Sequence, residues 1–246
     1  MSGSKKAIAF QGAHGAYSDL SCRTVFPGLP TLPCNSFEDA FEVVRGGEAD
    51  LAMIPVDNTI AGRVADVHHL MPGGDLFIIG EHFQPVHHAL LGVKGSKLES
   101  LTTVHSHIHA LPQCKKFIKA QGLKGVVHAD TAGAAREIAE KNDPAHAAIA
   151  STLAAEIYGL EILKTDIQDR ANNVTRFVIL SREPETPDEK SPTITSLIFE
   201  ARNIPAALYK CLGGFATAGF NLTRLESYVN ENFEAARFYV DIEGHP

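Results

Sequence analysis

The sequence predicts an α/β protein: two lobes with a cleft between them, followed by a small β-α-β-β unit. Three observations predict it. Short apolar, β-branched runs alternate with helix-patterned stretches from residue 7 to residue 180, as in a parallel or mixed sheet covered by helices. A long β-rich stretch from Leu76 to Val93, with a return through Ile162 to Asp169, reads as two passes between one sheet and another. A segment with three prolines and alternating charges, Ser181 to Pro192, then separates this region from the β-α-β-β pattern beyond it.

With 246 residues, 44% of them hydrophobic, the chain can bury a sizeable core. A net charge of −7 implies no general attraction to nucleic acid or to an anionic membrane, so an anionic ligand needs a local site. Cys22, Cys34, Cys114 and Cys211 form no C-x-x-C pair, which fits reduced thiols. No apolar signal segment opens the chain, and no stretch reaches the roughly 20 apolar residues of a membrane helix. A cytoplasmic protein is expected.

Taken in order, Ala7 to Phe10 is a strand that ends in Gln11-Gly12-Ala13-His14-Gly15-Ala16-Tyr17-Ser18-Asp19. That layout of strand, glycine loop and Ser or Asp cap aims backbone N–H groups at an anion, or is simply a tight turn. Ser36 and Asp39 make a capping box for a helix through Val44. Ala49 to Ile54 is a buried strand delivering Asp57, Asn58 and Thr59 at its carboxyl end, either as ligand groups or as an Asx turn. A helix near Val64 to Leu70 and the turn Pro72-Gly73-Gly74 precede the long crossing stretch. Strands at Thr102–His105, Gly125–His128 and Ala145–Ala150 alternate with helices at Ala110–Gln121, Thr131–Lys141 and Thr152–Tyr158. Ser106 stands at a helix start, where it caps or meets a ligand carboxylate, and Gln113 follows one to two turns later. His105, His107 and His109 alternate, but no fixed carboxylate or thiol partner is evident and no metal site is assigned.

Asn172 to Leu180 carries a hydroxyl, a guanidinium and a ring on Thr175, Arg176 and Phe177, where a polar loop becomes a buried strand. Arg suits a bidentate grip on a carboxylate, Thr is a short donor beside it, and Phe is a wall that excludes water. The plainer alternative is an ordinary strand. After the linker come a strand (Ile194–Glu200), a helix (Ala206–Ala218) and two strands (Asn221–Val229 and Glu234–Ile242). The second helix and last strand of a β-α-β-β-α-β unit are missing from the pattern.

These residues resemble the prephenate dehydratase family over almost the whole chain. Gln11-Gly12 to Tyr17-Ser18 is similar to its Gly-x-x-Gly-x-Tyr-Ser opening, and Pro55 to Thr59 to its Pro-x-Glu-Asn-Ser/Thr segment, with Asp57 in place of the commoner Glu. Ser106 with Gln113-Cys114 resembles its Ser-His-Pro…Gln-Cys segment, and Thr175-Arg176-Phe177 its signature triplet. In the tail, Ala207 to Lys210 and Gly219 to Ser227 resemble a phenylalanine-sensing ACT domain, although Ala206 stands where Gly is usual and Tyr228-Val229 where Arg-Pro is.

The resemblance implies a periplasmic-binding-protein-like catalytic domain over 1–181, with lobes roughly 1–80 plus 170–181 and 85–165. A linker at 182–192 and a truncated ferredoxin-like ACT domain at 193–246 follow. It implies conversion of prephenate to phenylpyruvate without a cofactor. Thr175, Arg176 and Phe177 would be catalytic, and Tyr17, Ser18, Asp57, Asn58, Thr59, Ser106 and Gln113 substrate-binding. It also implies L-phenylalanine as allosteric inhibitor at Ala206, Ala207, Leu208, Asn221, Leu222, Glu226 and Ser227, in a homo-oligomer paired through its tails. The alternatives are an arogenate dehydratase, a non-catalytic two-lobed anion-binding protein, or a histidine-rich metal protein.

Overall fold

The computed structural model of the protein describes residues 6–73, 75–229 and 235–245, by backbone alone at 68, 73, 235 and 236. The predicted turn residue Gly74 and strand start Glu234 lie outside the described residues. Two compact units divide between Pro184 and Glu185.

The first unit holds two mixed sheets. Sheet one contains β1 (Ile8–Gln11), β2 (Thr31–Cys34), β3 (Leu51–Asn58), the short β4 (Gly62–Arg63), β5 (Phe77–Pro85) and, from far along the chain, β11 (Val174–Ser181). Its order is β2-β1-β3-β11-β5, with β4 paired to β3. Helix α1 (Tyr17–Val25) covers one face, burying Cys22 against Ile8, Phe10, Leu51, Met53, Phe177 and Ile179. Helices α2 (Phe37–Arg45) and α3 (Ala65–Leu70) cover the other, where Ala40, Phe41, Val44 and Val67 meet Ile54, Val178 and Leu180. Each of the buried Val, Leu, Ile, Phe and Met side chains among these is worth about 1.5–3 kcal/mol over its exposed state.

Sheet two runs β10-β6-β9-β7-β8, from β6 (Ala89–Gly92), β7 (Thr103–His107), β8 (Lys124–His128), β9 (His146–Ala150) and β10 (Glu161–Lys164). Helices α5 (Thr131–Lys141) and α6 (Thr152–Tyr158) pack on one face through Ala134, Ile138 and Ala154. Helix α4 (Lys115–Ala120) follows a 3-10 turn at Leu111–Cys114, and Cys114 with Phe117 packs on the Val104 and Ile149 face.

Local chemistry explains most of these boundaries. Ser36 and Asp39 form the predicted capping box, Ser36 Oγ accepting from Asp39 N at 3.0 Å and Asp39 Oδ2 from Ser36 N at 3.2 Å. Helix α5 starts on Asp130, whose carboxylate accepts from Gly133 N, and α6 on Ser151, whose hydroxyl accepts from Ala154 N at 3.1 Å. Strand β3 continues past Ile54 through Pro55, paired with Phe177, and a bulge that leaves Val56 as the extra residue. That extra residue sets Asn58 directly across from Thr175 and Asp57 across from Arg176.

Several expectations are corrected. The stretch 76–93 is two strands separated by Val86-His87-His88, which carries the first pass between sheets. The predicted helix at Ala110–Gln121 is a 3-10 turn plus a short helix, and β2, which contains Pro33, and β10 are additional strands. Neither Ser18 nor Asp19 caps α1: the helix begins at Tyr17 on Ala16, and buried Asp19 reaches back to accept from Gly15 N at 2.8 Å.

The glycine loop also differs from an anion cradle. Gly15 has φ +89, its carbonyl accepts from Ser151 Oγ at 2.6 Å, and a Cβ there would stand 2.8 Å from Ala154 Cα. Tyr158 Oη donates to His14 O at 2.7 Å beside it. The loop fastens lobe one to the start of α6 on lobe two. The segments crossing between lobes are tied as well, Val86 N donating to Asn173 O at 2.8 Å and Ile167 N to His88 O at 3.1 Å.

The second unit is β12 (Ile194–Glu200), α7 (Ala207–Thr217), β13 (Leu222–Val229) and β14 (Ala235–Glu243), an antiparallel sheet in the order β12-β14-β13. Helix and sheet meet through Phe199, whose ring lies 5.9 Å from that of Phe215 and 5.4 Å from that of Phe238.

Gly15→Ala should therefore cost about 2 kcal/mol or more and lower Tm by about 4–8 °C. A circular dichroism melt identical to wild type would show that the lobes are not held through this loop.

Candidate functional site

One continuous chain of hydrogen bonds links the two lobes, and it runs through the predicted residues Thr175, Asn58, Gln113 and Tyr17. It starts where β3 ends. Asn58 Oδ1 accepts from Ile60 N at 2.9 Å and from Ala61 N at 2.8 Å. Two backbone donors on one oxygen leave the amide a single orientation, so Asn58 Nδ2 is the donor to Thr175 Oγ1 at 2.9 Å and to Asn173 Oδ1 at 2.8 Å. Asn173 is oriented in turn and gives its Nδ2 hydrogen to Gln113 Oε1 at 2.7 Å. Gln113 Oε1 also faces His88 Nε2 at 2.9 Å, and since a carbonyl oxygen only accepts, His88 carries its hydrogen on Nε2.

Burial holds the His88 pKa below its ordinary value, although the bond to Gln113 opposes this, and the ring is neutral. His88 Nδ1 is then an acceptor, 2.9 Å from Tyr17 Oη, which also lies 2.7 Å from His87 O. One phenolic hydrogen serves two acceptors. Burial raises the Tyr17 pKa well above its usual value, keeping the phenol protonated. His88 N donates to Gln168 Oε1 at 2.9 Å, holding the ring's backbone on the second crossing segment.

The other predicted residues sit apart from this chain. Alternate strand residues face opposite ways, so Arg176 lies on the other face of β11 from Thr175, where its Nε donates to Glu81 Oε2 at 2.8 Å. Arg176, expected to grip a substrate carboxylate, is thus placed on the opposite face from Thr175 and is ion-paired with Glu81. Phe177 does not wall the site: it is 1% exposed in the core under α1, where it anchors β11. Ser106 is neither a helix cap nor a surface donor, because it is fully buried in β7 and its hydroxyl donates to Ile149 O at 2.6 Å. Thr59 Oγ1 donates to Asn172 O at 2.7 Å and accepts from Val174 N at 2.9 Å, locking the approach to β11. Asp57 stands opposite Arg176, and Ser18 is in the first turn of α1. Cys114 is buried and its thiol is pushed up to about 12, first by that burial and then by Asp169, which keeps it protonated at neutral pH.

His88 and Asn173 join this chain without having been singled out as candidates from the sequence. Both lie on the crossing segments, and the only signal was their position on those passes.

In the tail, a cavity is lined by Asn203, Ile204, Leu208, Leu225, Ser227 and Phe238 among others. Of the predicted effector residues it brings together Leu208 and Ser227. Asn221 instead donates to Glu243 Oε2 at 2.9 Å, and Glu226 accepts from Arg224 Nε at 2.8 Å. Leu222 opens β13 and Ala207 opens α7. Ala206 caps α7 at φ +65, a conformation costing an L-residue about 1–2 kcal/mol.

Fold and site together define a two-lobed α/β protein whose polar centre lies on the passes between lobes. The sequence model of the prephenate dehydratase family matches residues 8–185, and the chain belongs to that family. A Komagataeibacter europaeus protein named bifunctional N-acyl-homoserine lactone acylase/prephenate dehydratase is 50% identical, over 98% of this chain and 87% of its own length. Arogenate dehydratase 3 of Arabidopsis thaliana, a chloroplastic protein, is 44% identical over 94% of this chain, which spans only 55% of the plant protein. The solved structure of prephenate dehydratase from Arthrobacter aurescens in complex with L-Phe is 30% identical with a TM-score of 0.89, covering 97% of this chain and 80% of that one.

The neutral His88 makes stability depend on pH. Its folded pKa lies below the ordinary 6.5, so the unfolded chain binds the proton more tightly. The contribution is complete above pH 6.5 and is lost as pH falls from there toward the folded value. His88→Gln, which retains a donor for Gln113, should lose less Tm than wild type between pH 7.5 and 5. Equal losses would mean that His88 is not held neutral.

Proposed function

We propose that this chain catalyses the decarboxylating dehydration of prephenate to phenylpyruvate, a step toward L-phenylalanine, with Thr175 at the reacting centre. The observation that carries the reading is the state of the Thr175 hydroxyl. It accepts from Asn58 Nδ2, and its own hydrogen has no acceptor among the described residues. A donor of this kind, beside a buried polar chain at the meeting of two lobes, suits an oxygen that gains negative charge as it leaves.

In the reaction, the bond from the ring to its carboxylate breaks and that electron pair enters the ring. The carbon–oxygen bond at the opposite ring carbon breaks in turn, releasing carbon dioxide and a hydroxide that takes a proton to become water. Aromatisation supplies the driving force. A threonine hydroxyl is far too weak an acid to surrender its proton at neutral pH, so Thr175 acts by hydrogen bonding to the departing oxygen. The Asn58 amide polarises that hydroxyl and strengthens the bond. Gln113, Asn173, His88 and Tyr17 hold the lobes in the geometry the reaction needs.

Arogenate is the second substrate to weigh, because the 44% identical plant relative bears that activity in its name. The 50% identical relative names an N-acyl-homoserine lactone acylase as well. For the tail we propose L-phenylalanine as an allosteric inhibitor acting in a tail-paired homo-oligomer. The cavity at Leu208 and Ser227 and the L-Phe complex of the Arthrobacter relative support it.

Phenylpyruvate formation from prephenate by the purified chain, with and without phenylalanine, is the direct assay, run in parallel with arogenate and an N-acyl-homoserine lactone. Thr175→Ala should lower kcat about 100-fold while KM stays within a few-fold. A raised KM at unchanged kcat would reduce Thr175 to a binding residue. Prephenate binding without any product would favour a non-catalytic anion-binding protein.

A further inference from the structure

Outside the Thr175 chain, a second set of polar side chains converges on sheet two. Along β7, Val104 and Ser106 face the α4 side, and His105 faces α5. There His105 Nδ1 lies 3.1 Å from His128 Nε2 on β8, and His128 Nδ1 lies 3.2 Å from Glu137 Oε2 on α5. One donor atom from each of the three lies within 4.8 Å of the other two. His105 is 5% exposed, whereas the His128 and Glu137 side chains are 18% and 35% exposed, so the cluster is walled on one side and reachable from the other.

Two imidazole nitrogens pointing at each other need an explanation. The Glu137 carboxylate requires a hydrogen on His128 Nδ1, which leaves Nε2 of the neutral ring bare. His105 Nδ1 must then donate to it, and His105 Nε2 accepts from the Thr103 hydroxyl 2.9 Å away. Thr103 also lies 2.6 Å from His146 Nδ1, and can supply or receive a hydrogen. If His105 moves its hydrogen from Nδ1 to Nε2, with Thr103 turning to accept it, two bare nitrogens face one point. An ion with bonds of about 2.0–2.1 Å in a tetrahedral shell holds its ligands about 3.3 Å apart, close to the spacing already present. Glu137, held here at His128 Nδ1, would turn from it to the same point as a third ligand.

We propose that His105, His128 and Glu137 form a binding site for one divalent transition-metal ion, with the two imidazoles as nitrogen ligands, the carboxylate as third ligand and water completing the shell. Two nitrogens and one carboxylate select zinc, cobalt or nickel over magnesium and calcium. The ion joins β7, β8 and α5, so its binding stabilises lobe two and is not a step of catalysis. Lys141, which pairs with Glu137 Oε1, is the competitor that the ion displaces.

The test uses untagged, chelator-stripped full chain, titrated with Zn²⁺ by calorimetry and with Co²⁺ by visible absorption. The expected result is one equivalent per chain at micromolar affinity or tighter, a raised Tm, and no saturable Mg²⁺ binding. His128→Ala and Glu137→Gln should each weaken Zn²⁺ at least about tenfold, and Lys141→Gln should tighten it. A His107→Ala/His109→Ala double variant should bind as wild type does. No saturable Zn²⁺ binding in the micromolar range would overturn the site. So would full retention in both His128→Ala and Glu137→Gln, checked as folded by circular dichroism, or loss in the double variant instead.

Discussion

The orientation of one side-chain amide governs the candidate site. Asn58 presents its oxygen to two backbone N–H groups just beyond β3, and everything downstream follows from that constraint. Its nitrogen must donate to Thr175 and Asn173, Asn173 must donate to Gln113, and Gln113 must accept from His88. Five side chains thereby share one pattern of donors and acceptors, and a change at any of them leaves a partly buried polar group without its complement. Such a group costs about 1–3 kcal/mol, more than a typical satisfied bond contributes.

This chain exists only when the lobes are together. Asn58, Thr175 and Tyr17 belong to lobe one, Gln113 to lobe two, and His88 and Asn173 to the segments that cross between them. Gly15 against Ala154 joins the same two lobes at another point. The Asn58 amide that donates to Thr175 also donates to Asn173 on a crossing segment, so the Thr175 hydroxyl belongs to a hydrogen-bonded chain that reaches both lobes.

Much of the first unit was legible in the sequence, because hydrophobic period and capping chemistry are local. The Ser36 and Asp39 capping box, helix α5 at Thr131–Lys141 and the two passes between sheets lie where the residues predict. Thr175, Asn58, Gln113 and Tyr17 were all recognisable from motif resemblance, and they come together. The triplet Thr175-Arg176-Phe177 is contiguous in sequence, but the twofold period of a strand keeps three successive side chains from sharing a face. Arg176 pairs with Glu81 and Phe177 enters the core. Ser106 was similarly drawn to the surface by its motif, whereas its strand buries it.

By itself the sequence determined most of the strands and helices, their order, and the family to which the chain belongs, since these follow from periodicity, turn chemistry and motif order along the chain. Only the tertiary structure decided which side chains meet. His88 comes against Gln113 and Tyr17, and His105 against His128 and Glu137, through pairings between strands and helices far apart in sequence. The hydrogen position on each ring follows from those neighbours, because a neutral imidazole has no fixed tautomer until its surroundings supply one donor and one acceptor.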